Sequence, residues 1–338
     1  MDDLFEISAC APIIIPTLCR YEQFKKSIDS LKKNRYANMT DVFIGLDFPI
    51  KEEHKEGNAL IKQYIYNEDF SAFHSFNVIE RTENYGVKRN IIDLKKIVMK
   101  NYDSFIYADD DIEYSEDFIE YMNLCLSKYK DDDEIIAITG YSYPIKWKVD
   151  NGSNVFRQNF ICPMWGTGMW TKKAKEVDGY IESGNLNEYF EKNRQKALKK
   201  TMTDACKMDY VWFNVKHDHS VNLAKESSDV AYRIYMAIKN KYVISPVLSH
   251  TRNMGFDGSG VYCNNNIGLN GKNARTYCYA KQEVSHGEIS EIIESQRKNE
   301  KTNLRKMNRF DKRKIKEKMY SKLILLKYCI DKKREKKV

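Results

Sequence analysis

The sequence predicts an α/β protein with a mainly parallel central sheet. Apolar runs of strand length alternate with stretches of helical periodicity through the first 140 residues, and polar residues stand just beyond the runs. The composition, 42% hydrophobic and 31% charged with 15 Gly and 6 Pro in 338 residues, is that of a globular chain able to bury a sizeable core. Ala11 to Ile15 forms the first strand, stopped at Pro16, and Tyr21, Phe24, Ile28 and Leu31 then recur at helical spacing. Val42 to Leu46 is the second strand and ends at Asp47. Further strands fall at Phe76 to Ile79, Phe105 to Ala108 and Ile135 to Thr139, with helices near Glu52 to Tyr66, Val87 to Met99 and Ser115 to Tyr129.

Beyond residue 140 the pattern is less regular. An aromatic and glycine stretch runs from Trp165 to Trp170, and a Lys-rich helix-like segment from Tyr189 to Lys200. Asp229 opens an apolar-periodic helix through Ile234 and Ile238, a strand at Tyr242 to Ile244 follows, and Gly255, Gly258 and Gly260 mark a loop. From about Ser290 the composition shifts to Lys, Arg, Glu and Asn. An apolar stripe at Ile315, Met319, Leu323, Leu326 and Ile330 predicts a helix there. The expected division is a main domain at 1–290, with halves meeting near residue 140, and a basic amphipathic helical tail at 291–338.

Charge and cysteine usage narrow the function classes. From Arg297 onward there are 18 Lys or Arg against 5 acidic residues, a surplus of 13, so with a total of +8 the preceding residues carry −5. A mildly acidic body argues against nucleic acid as partner, since a nucleic-acid enzyme needs positive charge beside its site. The eight cysteines are scattered with no C-x-x-C pair, which predicts free thiols and neither a zinc ribbon nor a disulfide scaffold. The longest apolar run near the N-terminus, Ala9 to Pro16, is too short to cross a bilayer, and Met1, Asp2 and Asp3 do not start a secretory signal. The expected location is the cytosol. The basic tail predicts contact with an anionic membrane surface, with packing on the body or on a second copy as a homodimer as the competing roles.

In a parallel α/β sheet, ligands bind beyond the carboxyl ends of the strands. Thr17 and Arg20, Asp47, Arg81 and Asn84, and Asp109 to Asp111 occupy those positions here. The segment FIYADDDIEYSEDF, Phe105 to Phe118, delivers three consecutive aspartates to the end of a buried strand, where their mutual repulsion calls for a cation. Hard carboxylate oxygens suit Mg²⁺ or Mn²⁺ bridging a diphosphate; a solvated acidic turn capping the next helix is the structural alternative. Asp131 to Asp133 is a second acidic triplet, but it follows a Lys-containing helix and reads as a surface turn.

The segment ADDDIEYSEDFIEYM resembles the D-x-D region of GT-A fold glycosyltransferases, and is similar to its E-D-D-L-E-x-x-x-D-F version in Golgi N-acetylglucosaminyltransferases. Bacterial family 2 enzymes share the layout. IIIPTLCRYEQFKKSIDSL resembles their first strand and helix, and ERTENYGVKRNI the segment before the D-x-D strand. MWGTGMW is similar to their acceptor-side motif, and SSDVAYRI through SPVLSHTRNMGFDGSGVYC to their base and C-terminal loop. The resemblance covers about residues 9 to 265.

It implies the GT-A fold, a Rossmann-like nucleotide-diphospho-sugar transferase sheet. The half at 1–140 would bind the nucleotide sugar and the half at 141–290 the acceptor. By the same resemblance, Asp109 faces the ribose or a metal-bound water and Asp111 ligates Mn²⁺ or Mg²⁺. Pro16, Thr17, Arg20 and Asp47 serve the nucleoside. Arg81, Lys88 and Arg89 serve the diphosphate or sugar, with Asn84 and Asp110 completing the donor site. Trp165, Gly166, Thr167 and Gly168 lie on the acceptor side, although core packing competes for the tryptophans. Asp229 is the catalytic base of an inverting transfer, with Glu226 as fallback and a helix cap as the competing role. His250 is a third metal ligand by the resemblance, a structural histidine otherwise. His217 to His219 reads as surface.

The implied activity is transfer of a sugar from a nucleoside diphosphate, most often UDP, to a hydroxyl of a glycan or lipid-linked glycan, in cell-surface polysaccharide synthesis. Two rivals are a sugar-nucleotide nucleotidyltransferase and a noncatalytic carbohydrate-binding protein. The first expects a glycine-rich loop after the first strand, and PTLCRYEQF has no glycine. The second has no need of both Asp111 and Asp229.

Overall fold

The structure, a computed structural model, describes residues 10–183, 228–255 and 283–310. The segment Tyr189 to Lys200, His217 to His219, Glu226, Gly258, Gly260, Tyr262 and the stripe Ile315 to Ile330 lie outside the described residues. The first half alternates as expected: β1 (Ile13–Thr17), α1 (Tyr21–Lys32), β2 (Asp41–Leu46), α2 (Glu52–Asn67), β3 (Ser75–Glu80), α3 (Gly86–Val98), β4 (Ser104–Tyr107). After β4 come the short strand β5 (Ile112–Tyr114), α4 (Phe118–Lys128), β6 (Ile135–Thr139), β7 (Val155–Gln158), β8 (Thr167–Trp170) and α5 (Thr171–Glu182). The remaining described elements are α6 (Ser228–Lys239), β9 (Tyr242–Pro246), β10 (Thr251–Asn253), β11 (Glu294–Ser295) and α7 (Glu300–Phe310).

Nine strands form one sheet in the order β11-β7-β9-β6-β8-β4-β1-β2-β3. The run β4-β1-β2-β3 is parallel throughout, whereas β8 lies antiparallel to both β4 and β6. The chain steps outward from β1 through β2 to β3 and then returns to β4 on the other side of β1. The switch point between β1 and β4 is where a crevice opens in such sheets.

Both faces of the sheet are covered, which explains strands that are apolar on every residue. Ile13 and Ile15 pack into a core shared with Phe24 and Ile28 of α1, Ile61 of α2 and Met122 of α4. Ile14 points into the opposite core with Leu94 and Val98 of α3, Val177 of α5 and Tyr232 and Met236 of α6. Each fully buried isoleucine of β1 contributes about 1.5–3 kcal/mol of burial free energy. The strand that carries the switch point is thus firmly anchored on both sides.

One expectation changes. Residues 291–310 do not begin a separate tail: β11 pairs with β7, Ile292 joins the first core, and α7 seats Met307 against Trp147, Phe156 and Phe160. The apolar residues scattered among the charges supply the contact that composition hid. Within the aromatic and glycine stretch, Thr167 to Trp170 form β8 in the middle of the sheet.

Among the described residues, Cys10, Cys19, Cys125 and Cys162 are free thiols. No helix among those residues is long and apolar enough to cross a membrane.

Candidate active site

The carboxyl ends of β1 and β4 bring Thr17, Arg20 and the aspartate triplet together. Thr17 Oγ1 donates to Asp110 Oδ2 at 2.8 Å, and Arg20 Nη1 donates to Asp111 Oδ2 at 2.7 Å while its Nη2 binds Asp110 Oδ1. One guanidinium therefore spans two carboxylates separated from it by some ninety residues of chain. Parallel pairing of β1 with β4, Ile13 to Ile106 and Ile14 to Tyr107, fixes that juxtaposition. Pro16, the other expected nucleoside residue on this strand, lies within β1 opposite Gly45.

The three aspartates differ in surroundings. Asp110 and Asp111 are buried at 5% and 7% exposure, and Asp111 Oδ1 has no hydrogen-bond partner among the described residues. Burial, then the neighbouring Asp111, pushes the Asp109 carboxyl up to about 7, although it accepts a hydrogen bond from the Tyr107 hydroxyl. Burial also raises Asp111 against the opposing pull of Arg20. Three carboxyls sharing one cation are an unbalanced charge set.

A second anchor stands beyond β2. Asp47 is buried, and its Oδ1 accepts from the backbone N–H groups of Phe48 at 2.9 Å and Tyr85 at 2.8 Å. Asn84 Nδ2 donates to the Phe48 carbonyl at 2.7 Å, so the loops after β2 and β3 are tied together at the rim. Asn58 of α2, missed in the sequence reading, donates to the carbonyls of Leu18 and Asp47 and joins the β1 and β2 loops.

Arg81, beyond β3, is largely internal: Nε donates to Asn90 Oδ1 at 3.1 Å and Nη1 to Asp93 Oδ2 at 2.6 Å. Its guanidinium also lies over the Tyr85 ring. Lys88 and Arg89 are exposed in the first turn of α3, where Arg89 pairs with Glu83 at 2.8 Å and lies over the Tyr85 ring as well.

The remaining expected residues divide. Trp165 is half-buried against Tyr141 and Tyr143, and Gly166 adopts a φ of 78° that only glycine takes easily. Thr167 and Gly168 are corrected to core positions. The Thr167 hydroxyl donates to the Pro163 carbonyl at 2.7 Å, and a side chain at 168 would press on Met122 and Leu126. Trp170 is likewise core, its indole N–H donating to the Leu126 carbonyl.

Asp229 lies in the first turn of α6, with Oδ2 accepting from Arg233 at 2.9 Å and the carboxylate 42% exposed. Tyr232, three residues on, packs in the core that also holds Tyr107. Burial, and then the Asp229 charge, push the Cys162 thiol up to about 12.

His250 does not join the aspartate triplet. Its Nδ1 lies 3.0 Å from Asp117 Oδ1, and its ring stacks on Tyr121 with centroids 4.0 Å apart. The Asp117 carboxyl is held well below the usual carboxylate range: burial works the other way, but the His250 contact and the Ser115 and Ser285 hydroxyls outweigh it. The physical reason for the difference is that a buried carboxylate 133 residues away claims the imidazole.

No group of three His, Cys, Asp or Glu side chains gathers into a metal cage among the described residues. A divalent cation shared with a diphosphate needs no such cage, only one or two carboxylates. The buried, unpartnered Asp111 Oδ1 and the hard-oxygen donor set fit that requirement.

No family model matches the chain, and no curated protein does. Solved structures similar to it include S. aureus TarS 1-349 in complex with UDP-GlcNAc, with TM-score 0.30 and 15% identity, covering 42% of this chain and 36% of that one. Another is the mannosyltransferase PcManGT from Pyrobaculum calidifontis in complex with GDP-Man and Mn²⁺, with TM-score 0.34 and 10% identity, covering 51% of this chain and 46% of that one. The chain spans less than half the length of either, and likenesses this partial carry no functional weight.

Proposed function

We propose that the chain is a glycosyltransferase of the GT-A type, moving a sugar from a nucleoside diphosphate, UDP most readily, to a hydroxyl of a glycan or lipid-linked glycan. The observation that carries this reading is the buried pair Asp110 and Asp111 at the β1/β4 switch point, held by Thr17 and Arg20, with Asp111 Oδ1 left without a partner among the described residues. Such a carboxylate at the carboxyl ends of parallel strands is suited to a diphosphate with its cation. The similarity of the acidic segment to the Golgi N-acetylglucosaminyltransferases supports the same reading.

Asp111 would hold Mn²⁺ or Mg²⁺, which when bound offsets the charge on the departing diphosphate. Asp47 and Asn84, tied to the loops on either side, receive the nucleoside together with Pro16. Asp109 faces the ribose or a metal-bound water. Arg81, Lys88 and Arg89 provide cationic surroundings for the diphosphate and sugar. Trp165, next to the left-handed Gly166, offers an aromatic face to the acceptor. Asp229 takes the proton of the acceptor hydroxyl on the face of the sugar opposite the leaving phosphate, which inverts the anomeric centre. The Lys- and Arg-rich residues beyond 310 supply attraction to anionic headgroups, supporting work at a cytoplasmic membrane face in polysaccharide synthesis.

The test is to incubate the protein with a panel of nucleotide sugars, Mn²⁺ and glycan acceptors and to measure released nucleoside diphosphate. Release from one donor with Mn²⁺ and none in EDTA is the expected result. Absence of release across UDP-, GDP- and dTDP-sugars, with none of these nucleotides binding, overturns the reading.

A further inference from the structure

Downstream of the aspartate triplet, the chain runs along a partner strand distant in sequence. β5 pairs antiparallel with β10, Asn253 opposite Ile112 and Thr251 opposite Tyr114, and backbone hydrogen bonds close both ends of this ladder. At one end the Ser115 N–H donates to the His250 carbonyl at 2.9 Å, and at the other the Met254 N–H donates to the Asp111 carbonyl at 2.8 Å. Residues 250–255 therefore form a strap along the segment that presents Asp111.

Each end of the strap has its own lock. At the far end, His250 is 4% exposed, sandwiched against Tyr121 and in contact with Asp117, whose other oxygen accepts from the Ser285 hydroxyl. Because a carboxylate only accepts, Nδ1 carries the hydrogen, which fixes the ring orientation. At the near end, Gly255 has its backbone against the Asp111 side chain. A Cβ at 255 would lie 2.0 Å from Asp111 Oδ2 and 2.8 Å from its Cγ, so only hydrogen fits, and the Gly255 N–H is held by Asn253 Oδ1 at 2.8 Å. With Oδ2 engaged by Arg20 and walled by Gly255, Oδ1 is the oxygen without a partner among the described residues.

We infer that the Asp117–His250 pair and Gly255 are positioning residues that clamp the 250–255 strap and thereby orient the Asp111 carboxylate for a divalent cation. The inference rests on the proposed role of Asp111. It gives His250 a supporting place behind the site and no direct bond to the cation. Groups that orient a metal-binding carboxylate change affinity by about 10–100-fold when removed, without touching the metal.

The experiment measures Mn²⁺ affinity in the presence of UDP by electron paramagnetic resonance, with melting by circular dichroism as a fold control. The full chain is compared with Asp111→Asn, Gly255→Ala, Asp117→Asn and His250→Asn. Asp111→Asn is expected to abolish UDP-dependent Mn²⁺ binding. The other three are expected to weaken it 10–100-fold while the protein remains folded, and the wild-type complex is expected to show no histidine nitrogen coupling to Mn²⁺. If either buried-pair variant fails to fold, Gly255→Ala decides. Unchanged binding in Asp111→Asn overturns the proposed function and the inference with it. Loss in Asp111→Asn with wild-type affinity in Gly255→Ala and Asp117→Asn overturns the inference alone, as does histidine nitrogen coupling that disappears in His250→Asn.

Discussion

The chain contains two runs of three aspartates, and the structure gives them opposite fates. Asp109 to Asp111 follow the buried strand β4, and two of them are 5% and 7% exposed beside Arg20. Asp131 to Asp133 follow α4, with Asp131 and Asp133 exposed and Asp132 paired to Arg157 at 2.7 Å. In the first run, burial and mutual repulsion raise Asp109 and Asp111. In the second, burial also raises, but the Arg157 contact and the Glu134 N–H win and lower Asp132. Identical residues thus become a strained anion cluster in one place and a settled surface turn in the other. What differs is the element that precedes them.

The comparison is broken or sharpened most strongly at Asp111. Asp111→Ala is expected to reduce turnover by about 10³-fold or more by removing the group proposed to hold the cation. Asp132→Ala leaves turnover unchanged, read as nucleoside diphosphate release at saturating donor. The next effect is at Asp229, where Asn keeps the shape but accepts no proton: a loss of about 10²–10⁴ in kcat with donor KM nearly unchanged is expected. A lowered melting temperature with normal kcat would instead make Asp229 a helix-terminus residue, in keeping with its contact to Arg233.

The pH response should separate the runs by sign. A carboxyl raised on folding resists ionisation, so the Asp109 contribution is fully present below the unfolded value of about 4 and is lost as pH rises towards about 7. Asp109→Asn should therefore flatten the decline of melting temperature between pH 4 and 7. Asp132 is depressed, so its contribution is present above the ordinary carboxylate range and is lost as pH falls through and below it. Asp132→Asn should flatten only that acid limb. The smallest effect is the neutral-pH stability change of Asp132→Asn itself, about 1 kcal/mol or less for a partly exposed pair, measured by urea denaturation.

Much of the first half was legible because its logic is local. Ile13 to Ile15, Val42 to Leu46 and Phe105 to Tyr107 are apolar on every residue, and parallel crossovers bring their polar followers to one end of the sheet. The second half resists such reading because its strands pair in both parallel and antiparallel directions. β8 has four residues and is inserted antiparallel between β4 and β6, so Thr167 and Gly168, which resembled part of an acceptor-side motif, are core.

Long-range pairing hid the rest. Asp117 and Ser115 are visible in YSEDF, but nothing near them in the chain announces His250, and Gly255 reads as a loop residue until Asp111 lies against it. Tyr107 and Asn58 are ordinary strand and helix residues by pattern. Their roles come from what tertiary packing places opposite them.

The most direct measurement of the central claim is calorimetric titration of UDP into the full chain with and without Mn²⁺, repeated with Asp111→Asn and Asp132→Asn. The account predicts UDP binding that requires Mn²⁺, is lost in Asp111→Asn and is preserved in Asp132→Asn. UDP binding of equal strength in Asp111→Asn and the unaltered protein would contradict it.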